Sequence, residues 1–192
     1  MGQIVISTNV SLDGVVQDPD GKEGSPFGGW FARYGGPDLD EWSRISLEES
    51  MRADALLLGR RSDEWFASRW LGRAGAWADR LNSLPKYVVS ATLTEPKWSN
   101  TTIISGNVVA AATQLKHERA GDIVVYGSYQ LARTLIEHDL ADELRLVVYP
   151  VVLGAGERLF GPGADQKAMR LAGAATIGGG LAFLTYRFDR SA

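Results

Sequence analysis

Along the first two thirds of the chain, short apolar runs alternate with stretches in which apolar residues recur every three or four positions. The apolar runs are rich in β-branched residues and lack polar alternation, as is typical of strands covered on both faces in a parallel sheet. This pattern predicts strands at 4–8, 56–59, 86–90, 102–104 and 123–126. It predicts helices at 39–51, 62–70, 74–81, 108–119 and 128–138. Strands that alternate with helices indicate an α/β fold.

The last third of the chain has a different pattern. Strands are predicted at 143–152, 168–176 and 181–188, with no helical periodicity between them. Three successive glycines, 178–180, separate the last two strands and favour a tight turn, so these strands should form an antiparallel hairpin. We therefore expect an α/β fold with a mainly parallel central sheet, flanking helices and antiparallel C-terminal strands. We expect one domain that spans residues 1–192.

The segment 18–37 stands apart from both patterns. It contains six of the 22 glycines and three of the seven prolines, together with four aromatic residues, Phe27, Trp30, Phe31 and Tyr34. A structureless loop of this length is uncommon in a compact domain and is often a binding loop or a lid. Two interpretations stay open: a surface loop packed by its own aromatic side chains, or a loop that contacts a ligand and becomes ordered on binding it.

Composition removes several classes of protein. The 192 residues carry a formal net charge of −3, which favours neither nucleic acid nor an anionic membrane as a partner. The absence of cysteine excludes disulfides and thiolate metal sites, and two histidines are too few for the usual catalytic zinc site, so no metal centre is predicted. The N-terminal sequence lacks the features of a secretion signal, and no apolar run reaches about 18 residues. We expect a cytoplasmic protein.

The strongest local signal is LLLGRRS, residues 56–62, where a buried strand ends at Gly59 and a helix follows. A helix N-terminus offers free backbone N–H groups and the positive end of the helix dipole, which suit a phosphate. Arg60 and Arg61 add guanidinium groups that can bind phosphate oxygens through paired hydrogen bonds. The alternative is a helix capped by Ser62 beside two solvated arginines.

Two further strand ends carry similar groups. In VVYGSYQLARTL, residues 124–135, a strand runs into Gly127, where the backbone can approach a pyrophosphate, and Ser128 is placed to cap the next helix. In SATL, residues 90–93, Ser90 and Thr92 can bind a phosphate or ribose, or form a simple turn. Because the carboxyl ends of parallel strands share one edge of a sheet, the three turns together favour an extended phosphorylated ligand.

The order of VSLDG, LLLGRRS, KYVVS, VVYGSYQLARTL and DELRLVVYPVVLGAGERLF along the chain resembles the dihydrofolate reductase-like superfamily. Within it, the chain is most similar to the reductase (RibD C-terminal) domain of riboflavin-biosynthesis enzymes and its stand-alone bacterial relatives. The resemblance covers nearly the whole chain. It implies an NADPH-dependent reductase that is usually a homodimer. The apolar run at 144–153 agrees with a dimer, because an apolar edge strand is usually covered.

The resemblance also assigns roles to residues. Arg60 would contact the adenosine 2′-phosphate, with Ser90 and Thr92 nearby, and Ser62 would contact the pyrophosphate. Asp13 in VSLDG would be the catalytic-site residue that binds substrate or relays a proton beside the nicotinamide; alternatively, it is an ordinary Asp-Gly turn residue. The residues implied in cofactor binding are Gly59, Arg60, Arg61, Ser62, Ser90, Thr92, Gly127, Ser128, Tyr129, Gln130 and Leu131.

Two departures from the superfamily narrow the function. Ser43 stands where bacterial dihydrofolate reductases carry a substrate-orienting carboxylate. The zinc deaminase half of the riboflavin enzymes needs a P-C-x-x-C motif, which a chain without cysteine cannot supply. The expected function is therefore reduction of a phosphoribosylamino-pyrimidine, or a related small heterocyclic or carbonyl substrate, by NADPH. Dihydrofolate reduction and a non-catalytic NADP-binding module are the alternatives.

Overall fold

A computed structural model describes residues 1–161, 163 and 165–189. The strands are β1 (Gln3–Ser11), β2 (Ala53–Gly59), β3 (Lys86–Val89), β4 (Thr101–Ile104), β5 (Asp122–Tyr126), β6 (Glu143–Tyr149), β7 (Met169–Ile177) and β8 (Leu181–Phe188). The helices are α1 (Trp30–Gly35), α2 (Leu39–Arg52), α3 (Arg60–Trp70), α4 (Ala76–Ser83), α5 (Val108–Glu118) and α6 (Tyr129–Glu137), with a 3-10 turn at Gly36–Asp38. Every predicted strand and helix is present, and all bounds lie within about three residues of those predicted from periodicity.

The chain divides into two compact units. The first comprises Met1–Ile6 and Ser46–Asp142; the second comprises Ser7–Ile45 and the chain from Glu143. β1 therefore begins in the first unit and ends in the second. The organisation of residues 1–192 as one domain stays a prediction.

The strand order in the first unit is β4-β3-β2-β5-β1. β2 pairs in parallel with β3 and β5, and β3 pairs in parallel with β4. Leu56 is aligned with Lys86 on one side and Val124 on the other. Neighbours on both sides and helices over the sheet leave the leucines of β2 buried, which explains the absence of polar alternation in this strand. The predicted parallel arrangement is confirmed.

The second unit has the strand order β1-β6-β8-β7, and β8 pairs antiparallel with both β6 and β7. Gly178 adopts a left-handed conformation (φ 55°) in the turn between β7 and β8, so the predicted hairpin is confirmed. One prediction is wrong: the apolar run at 144–153 is not an edge strand. β6 lies between β1 and β8, whose backbone groups pair with it, and β7 is the edge strand instead.

The segment 18–37 is not a long structureless loop. It contains α1 and the start of the 3-10 turn, and Trp30 is buried in the core of the second unit, where its ring lies 5.2 Å from that of Tyr149. The preceding residues fold around buried Asp18, whose carboxylate accepts hydrogen bonds from the amides of Glu23 and Ser25, both at 2.9 Å. The sequence pattern missed α1 because glycine pairs flank a helix of only six residues. The geometry favours the packed interpretation of this segment.

The described residues contain neither a membrane-spanning helix nor a metal-ligand cluster. No helix there combines the length and apolar character needed to span a membrane. No cluster of three or more histidine, aspartate or glutamate side chains in that part of the chain is arranged to hold a metal ion.

Candidate functional site

The N-terminus of α3 follows β2 without an intervening loop. Gly59 is both the last residue of β2 and the N-cap of α3, with an extended backbone (φ −81°, ψ 156°). The helix therefore begins at Arg60, two residues earlier than predicted, and Ser62 lies inside its first turn rather than capping it. Gly59 has no side chain, so the N-cap residue itself supplies no acceptor to this N-terminus. A helix N-terminus without a cap from its N-cap residue suits an anion.

Two arginines occupy this first turn. Arg60 and Arg61 are both exposed, and both place positive charge at the positive end of the helix dipole. An unfavourable placement of this kind typically amounts to about 0.3–1 kcal/mol per charge. The helix dipole therefore does not account for the pair, whereas binding of an anionic ligand would.

Ser128 joins the β2–α3 turn to the β5–α6 turn. The Gly59 amide donates to Ser128 Oγ at 3.0 Å, and the Ser128 amide donates to Ser62 Oγ at 3.1 Å. Ser128 Oγ donates its own hydrogen to the Tyr126 carbonyl at 3.2 Å. The hydroxyl hydrogen of Ser128 is therefore used within the protein. Ser62 Oγ, in contrast, accepts in this pair of turns and can still donate to a ligand. We call this set of hydrogen bonds the serine clasp.

The backbone at the clasp is unusual. Gly127 and Ser128 both have left-handed conformations, with φ of 56° and 49°. Serine in this region is strained by about 1–2 kcal/mol relative to glycine. Ser128 stands at the N-cap of α6, as predicted, but its side chain makes no capping hydrogen bond and contacts Gly59 instead. The strain is thus associated with the link between the two turns.

Ser90 follows β3 and organises the third turn. Its Oγ accepts hydrogen bonds from the amides of Thr92 (3.2 Å) and Leu93 (2.9 Å), which is the turn chemistry that the sequence left as an alternative. Ser90 is almost completely buried, whereas Thr92 is exposed. Because β3, β2 and β5 are parallel neighbours, the turns that follow them lie at the same edge of the sheet. The structure thus brings the three predicted turns to one edge.

The first turn of α6 supplies three more of the predicted residues. The Tyr129 ring is half-buried and lies 5.2 Å from the guanidinium carbon of Arg133. Gln130 is exposed, whereas Leu131 is buried and faces the core. Leu131 can therefore contact a ligand at this edge only through its backbone.

Two buried ionisable residues of the first unit were missed by the sequence reasoning. Asp63 in α3 and Lys86 in β3 are both fully buried. Lys86 Nζ donates to the carbonyls of Asn82 (3.1 Å) and Leu84 (2.7 Å) and lies 4.3 Å from the centre of the Trp98 ring. Neither carboxylate oxygen of Asp63 has a hydrogen-bond partner within the described residues. A lysine that opens a buried strand was the available signal, since an isolated buried charge needs a partner.

Burial has the largest effect on the pKa values of Asp63 and Lys86. Burial raises the pKa of Asp63, and the attraction of Lys86 only partly offsets that rise, while Glu64 adds to it. Burial likewise lowers the pKa of Lys86 to about 8, against the opposing effect of Asp63. The first unit therefore carries two ionisable groups whose charged forms are disfavoured by burial.

Asp13 lies in the second unit, in the turn after β1. Its Oδ1 accepts hydrogen bonds from the Ser11 hydroxyl (2.7 Å) and the Leu153 amide (3.0 Å), and its Oδ2 accepts one from the Gly154 amide (2.9 Å). Arg158 Nε donates to the Asp13 carbonyl at 2.9 Å. We call these contacts the aspartate clasp. It connects VSLDG with VLGAGER, residues 152–158, two of the motifs on which the family resemblance rests.

The aspartate clasp keeps Asp13 ionised. Burial alone would raise the pKa of its carboxyl group, but the hydrogen bonds from Leu153, Ser11 and Gly154 outweigh that effect and lower the pKa to about 2. A group with so low a pKa holds almost no proton near neutral pH. The geometry therefore favours the turn role of Asp13 over that of a proton relay.

Nearly the whole chain is similar to known proteins. The family model of the RibD C-terminal domain matches residues 3–183. The uncharacterised protein YyaP of Bacillus subtilis (strain 168) is 25% identical over 192 residues, which cover 97% of this chain and 95% of YyaP.

Two solved structures are similar in fold. A protein from Shewanella sp. PV-4, assigned provisionally to riboflavin biosynthesis, superposes with a TM-score of 0.76 at 21% identity and covers 98% of this chain and 99% of its own. A diaminohydroxyphosphoribosylaminopyrimidine deaminase/5-amino-6-(5-phosphoribosylamino)uracil reductase from Thermotoga maritima gives a TM-score of 0.63 at 13% identity, over 98% of this chain and 57% of its own. The predicted dihydrofolate reductase-like fold is confirmed.

Proposed function

This chain belongs to the RibD C-terminal domain family, and from that membership we propose that it is an NADPH-dependent oxidoreductase. The favoured substrate is a phosphoribosylamino-pyrimidine, the class named in the activity of the Thermotoga maritima protein, or a related small heterocyclic or carbonyl compound. NADPH would supply a hydride to that substrate. The proposal places the enzyme in the cytoplasm, as expected for a biosynthetic reductase.

The uncapped N-terminus of α3 carries this proposal. Its N-cap residue, Gly59, supplies no side-chain acceptor, and two arginines that the helix dipole disfavours follow it. Both features fit the phosphates of a dinucleotide. In the proposed assignment Arg60 binds the 2′-phosphate with Thr92 beside it, and Ser62 donates its hydroxyl hydrogen to the pyrophosphate.

The other predicted residues divide into ligands and supports. Gly59, Gly127 and Gln130 would contact the cofactor through backbone or exposed side-chain atoms, as would Arg61 and Tyr129. Ser90 and Ser128 would shape the turns, since their oxygens already serve backbone amides. Leu131 would support α6 from the core.

Binding and turnover test the proposal in separate steps. Tryptophan fluorescence titrations with NADPH and NADH measure cofactor binding and preference, and we expect NADPH to bind more tightly. Oxidation of NADPH, followed at 340 nm with a panel of phosphoribosylamino-pyrimidines and pterins, measures turnover. Failure of NADPH to bind at millimolar concentration would rule out the proposed function.

One observation favours a second candidate, a non-catalytic NADP-binding module. Asp13, the acid that the family resemblance places beside the nicotinamide, is already bound by Ser11 and the amides of Leu153 and Gly154. It is thus poorly suited to deliver a proton. Tight NADPH binding without oxidation by any substrate in the panel would favour this module over the reductase.

We also propose that the protein is a homodimer, as the family resemblance implies. The edge strand β7 is the best available surface, because most of its residues are exposed and its Leu171 side chain is 54% exposed. β7 carries one charge, on Arg170 near its start, and the apolar remainder of such an edge tends to pair with another chain. Sedimentation equilibrium at micromolar concentration should give a mass of about twice 20.8 kDa; a monomer throughout that range contradicts the proposal.

A further inference from the structure

Glu64 lies one turn beyond Arg60 on α3 and forms an ion pair with it. Arg60 Nη1 is 3.1 Å from Glu64 Oε1. Both side chains are substantially exposed, at 46% for Arg60 and 38% for Glu64. The pair is thus a surface contact between positions i and i+4 of one helix.

The position of Glu64 relative to the helix end determines where the Arg60 guanidinium lies. Four residues of α-helix advance by about 6 Å along the axis. Glu64 therefore draws the Arg60 guanidinium along the helix, away from the N–H groups of the first turn. The 2′-phosphate, which the proposed assignment gives to Arg60, and the Glu64 carboxylate are alternative partners for the same guanidinium.

The same pair explains how a cation is tolerated at the start of α3. Arg60 is the first helical residue, where the dipole opposes its charge. The Glu64 carboxylate supplies a compensating negative charge to it. In the ligand-free protein Glu64 thereby performs the electrostatic role that a bound phosphate would take over.

We propose that Glu64 is a specificity-determining residue that weakens recognition of the 2′-phosphate by holding Arg60 in the ligand-free protein. This inference rests on the proposed NADPH function. On binding, Arg60 leaves Glu64 and contacts the 2′-phosphate. The affinity for NADPH is therefore lowered by the free energy of the lost ion pair. Glu64 thus sets how strongly the protein prefers NADPH over NADH.

The variant Glu64→Gln tests the exchange, because it keeps the shape of the side chain and removes its charge. Exposed ion pairs between positions i and i+4 of a helix correspond to a factor of about 2 in an equilibrium constant. We expect E64Q to bind NADPH about 2-fold more tightly at low salt and NADH with unchanged affinity. Because the contact is exposed, the gain should shrink in about 1 M NaCl.

Smaller probes isolate the phosphate concerned. Adenosine 2′,5′-bisphosphate carries the 2′-phosphate, whereas adenosine 5′-monophosphate lacks it, and isothermal titration measures both. Glu118→Gln in α5 is the matched control: Glu118 is also exposed and also accepts a contact from a residue four positions away, Gln114. E118Q removes the same charge and should change neither affinity. A double-variant cycle with Arg60→Ala gives the decisive comparison, since the effect of E64Q should vanish once Arg60 is absent.

The outcomes separate this inference from the proposed function. If NADPH and adenosine 2′,5′-bisphosphate do not bind the unmodified protein, the function itself is wrong, and the inference falls with it. If both bind, and R60A weakens them while E64Q has no effect, the function stands and the exchange is wrong. If E64Q weakens binding, the exchange is also wrong, because Glu64 would then hold Arg60 in its binding position.

Discussion

Each of the two units carries a clasp of hydrogen bonds at a turn, and the two clasps use their polar groups differently. The serine clasp of the first unit uses the hydroxyl hydrogen of Ser128 within the protein but leaves that of Ser62 available, at the N-terminus of α3. The aspartate clasp of the second unit directs hydroxyl and amide donors at one carboxylate. The first arrangement retains capacity for a ligand, and the second uses its carboxylate for structure.

The difference shows that a polar residue in a family motif is not thereby a ligand. Asp13 and Ser62 both belong to motifs that the resemblance assigns to the site. Only the count of donors and acceptors already satisfied inside the protein distinguishes them. That count predicts different results at the two residues: loss of binding at Ser62, whose hydroxyl hydrogen stays available, and loss of stability at Asp13, whose carboxylate is already satisfied.

The largest expected effect is in the first unit. Arg60→Ala should weaken NADPH binding by about 10- to 100-fold, because a charge-assisted hydrogen bond to phosphate contributes about 1.5–3 kcal/mol. NADH, which lacks the 2′-phosphate, should bind almost unchanged. Arg61→Ala should have a smaller effect. Titration of both cofactors against each variant measures this preference; equal losses for NADPH and NADH in R60A would mean that Arg60 supports the fold or binds the pyrophosphate.

The next effect is on stability in the second unit. Asp13→Asn replaces an acceptor of amide hydrogens with a group that also donates, and should lower the free energy of unfolding by about 1–2 kcal/mol at pH 7. The pKa of Asp13 falls from 3.8 to about 2 on folding, so its contribution is present above about pH 4 and is lost as the pH falls toward 2. Urea unfolding from pH 7 to pH 2.5 should show the unfolding free energies of the two proteins converging. A difference in unfolding free energy that does not change with pH would exclude the ionised carboxylate as its source.

Two substitutions of Ser128 separate its hydroxyl from its strained backbone. Ser128→Ala leaves the Gly59 amide without its acceptor and should destabilise the protein by about 1 kcal/mol, while loosening NADPH binding through α3. Ser128→Gly loses the same hydroxyl but relieves the left-handed strain, so it should be more stable than S128A by a similar amount. Chemical unfolding ranks the variants. If S128A is the more stable of the two, the strain assigned to Ser128 is absent.

The smallest effect is expected at Tyr149 in the second unit. Its hydroxyl is buried beside Trp30 without a hydrogen-bond partner in the described residues, and burial raises the pKa of that hydroxyl. Tyr149→Phe should therefore raise the free energy of unfolding slightly, by up to about 1 kcal/mol. Tyr34→Phe, at an exposed tyrosine of the same unit, is the control and should be neutral. A destabilised Y149F would show that the hydroxyl has a partner such as a buried water.

Much of the fold could be predicted from local pattern. Strands β2 and β5 and the turn between β7 and β8 are each determined by residues that are close together in sequence. Hydrophobic periodicity and turn chemistry therefore suffice to predict them. The pattern did not predict α1, because this helix has only six residues and has glycines at both ends. Its formation depends on burial of Trp30 against Tyr149. The edge position assigned to 144–153 failed for a related reason, since strand order is not encoded in the strand itself.

The sequence by itself determined the strand ends, the glycine turns and the arginines that follow them, because each depends on neighbouring residues. Tertiary structure alone decided which polar groups stay available. Ser128 meets Gly59 across 69 positions, and Asp13 meets Leu153 across 140. A hydrogen bond requires its donor and acceptor within about 3 Å, and only the folded chain brings residues so far apart in sequence to that distance.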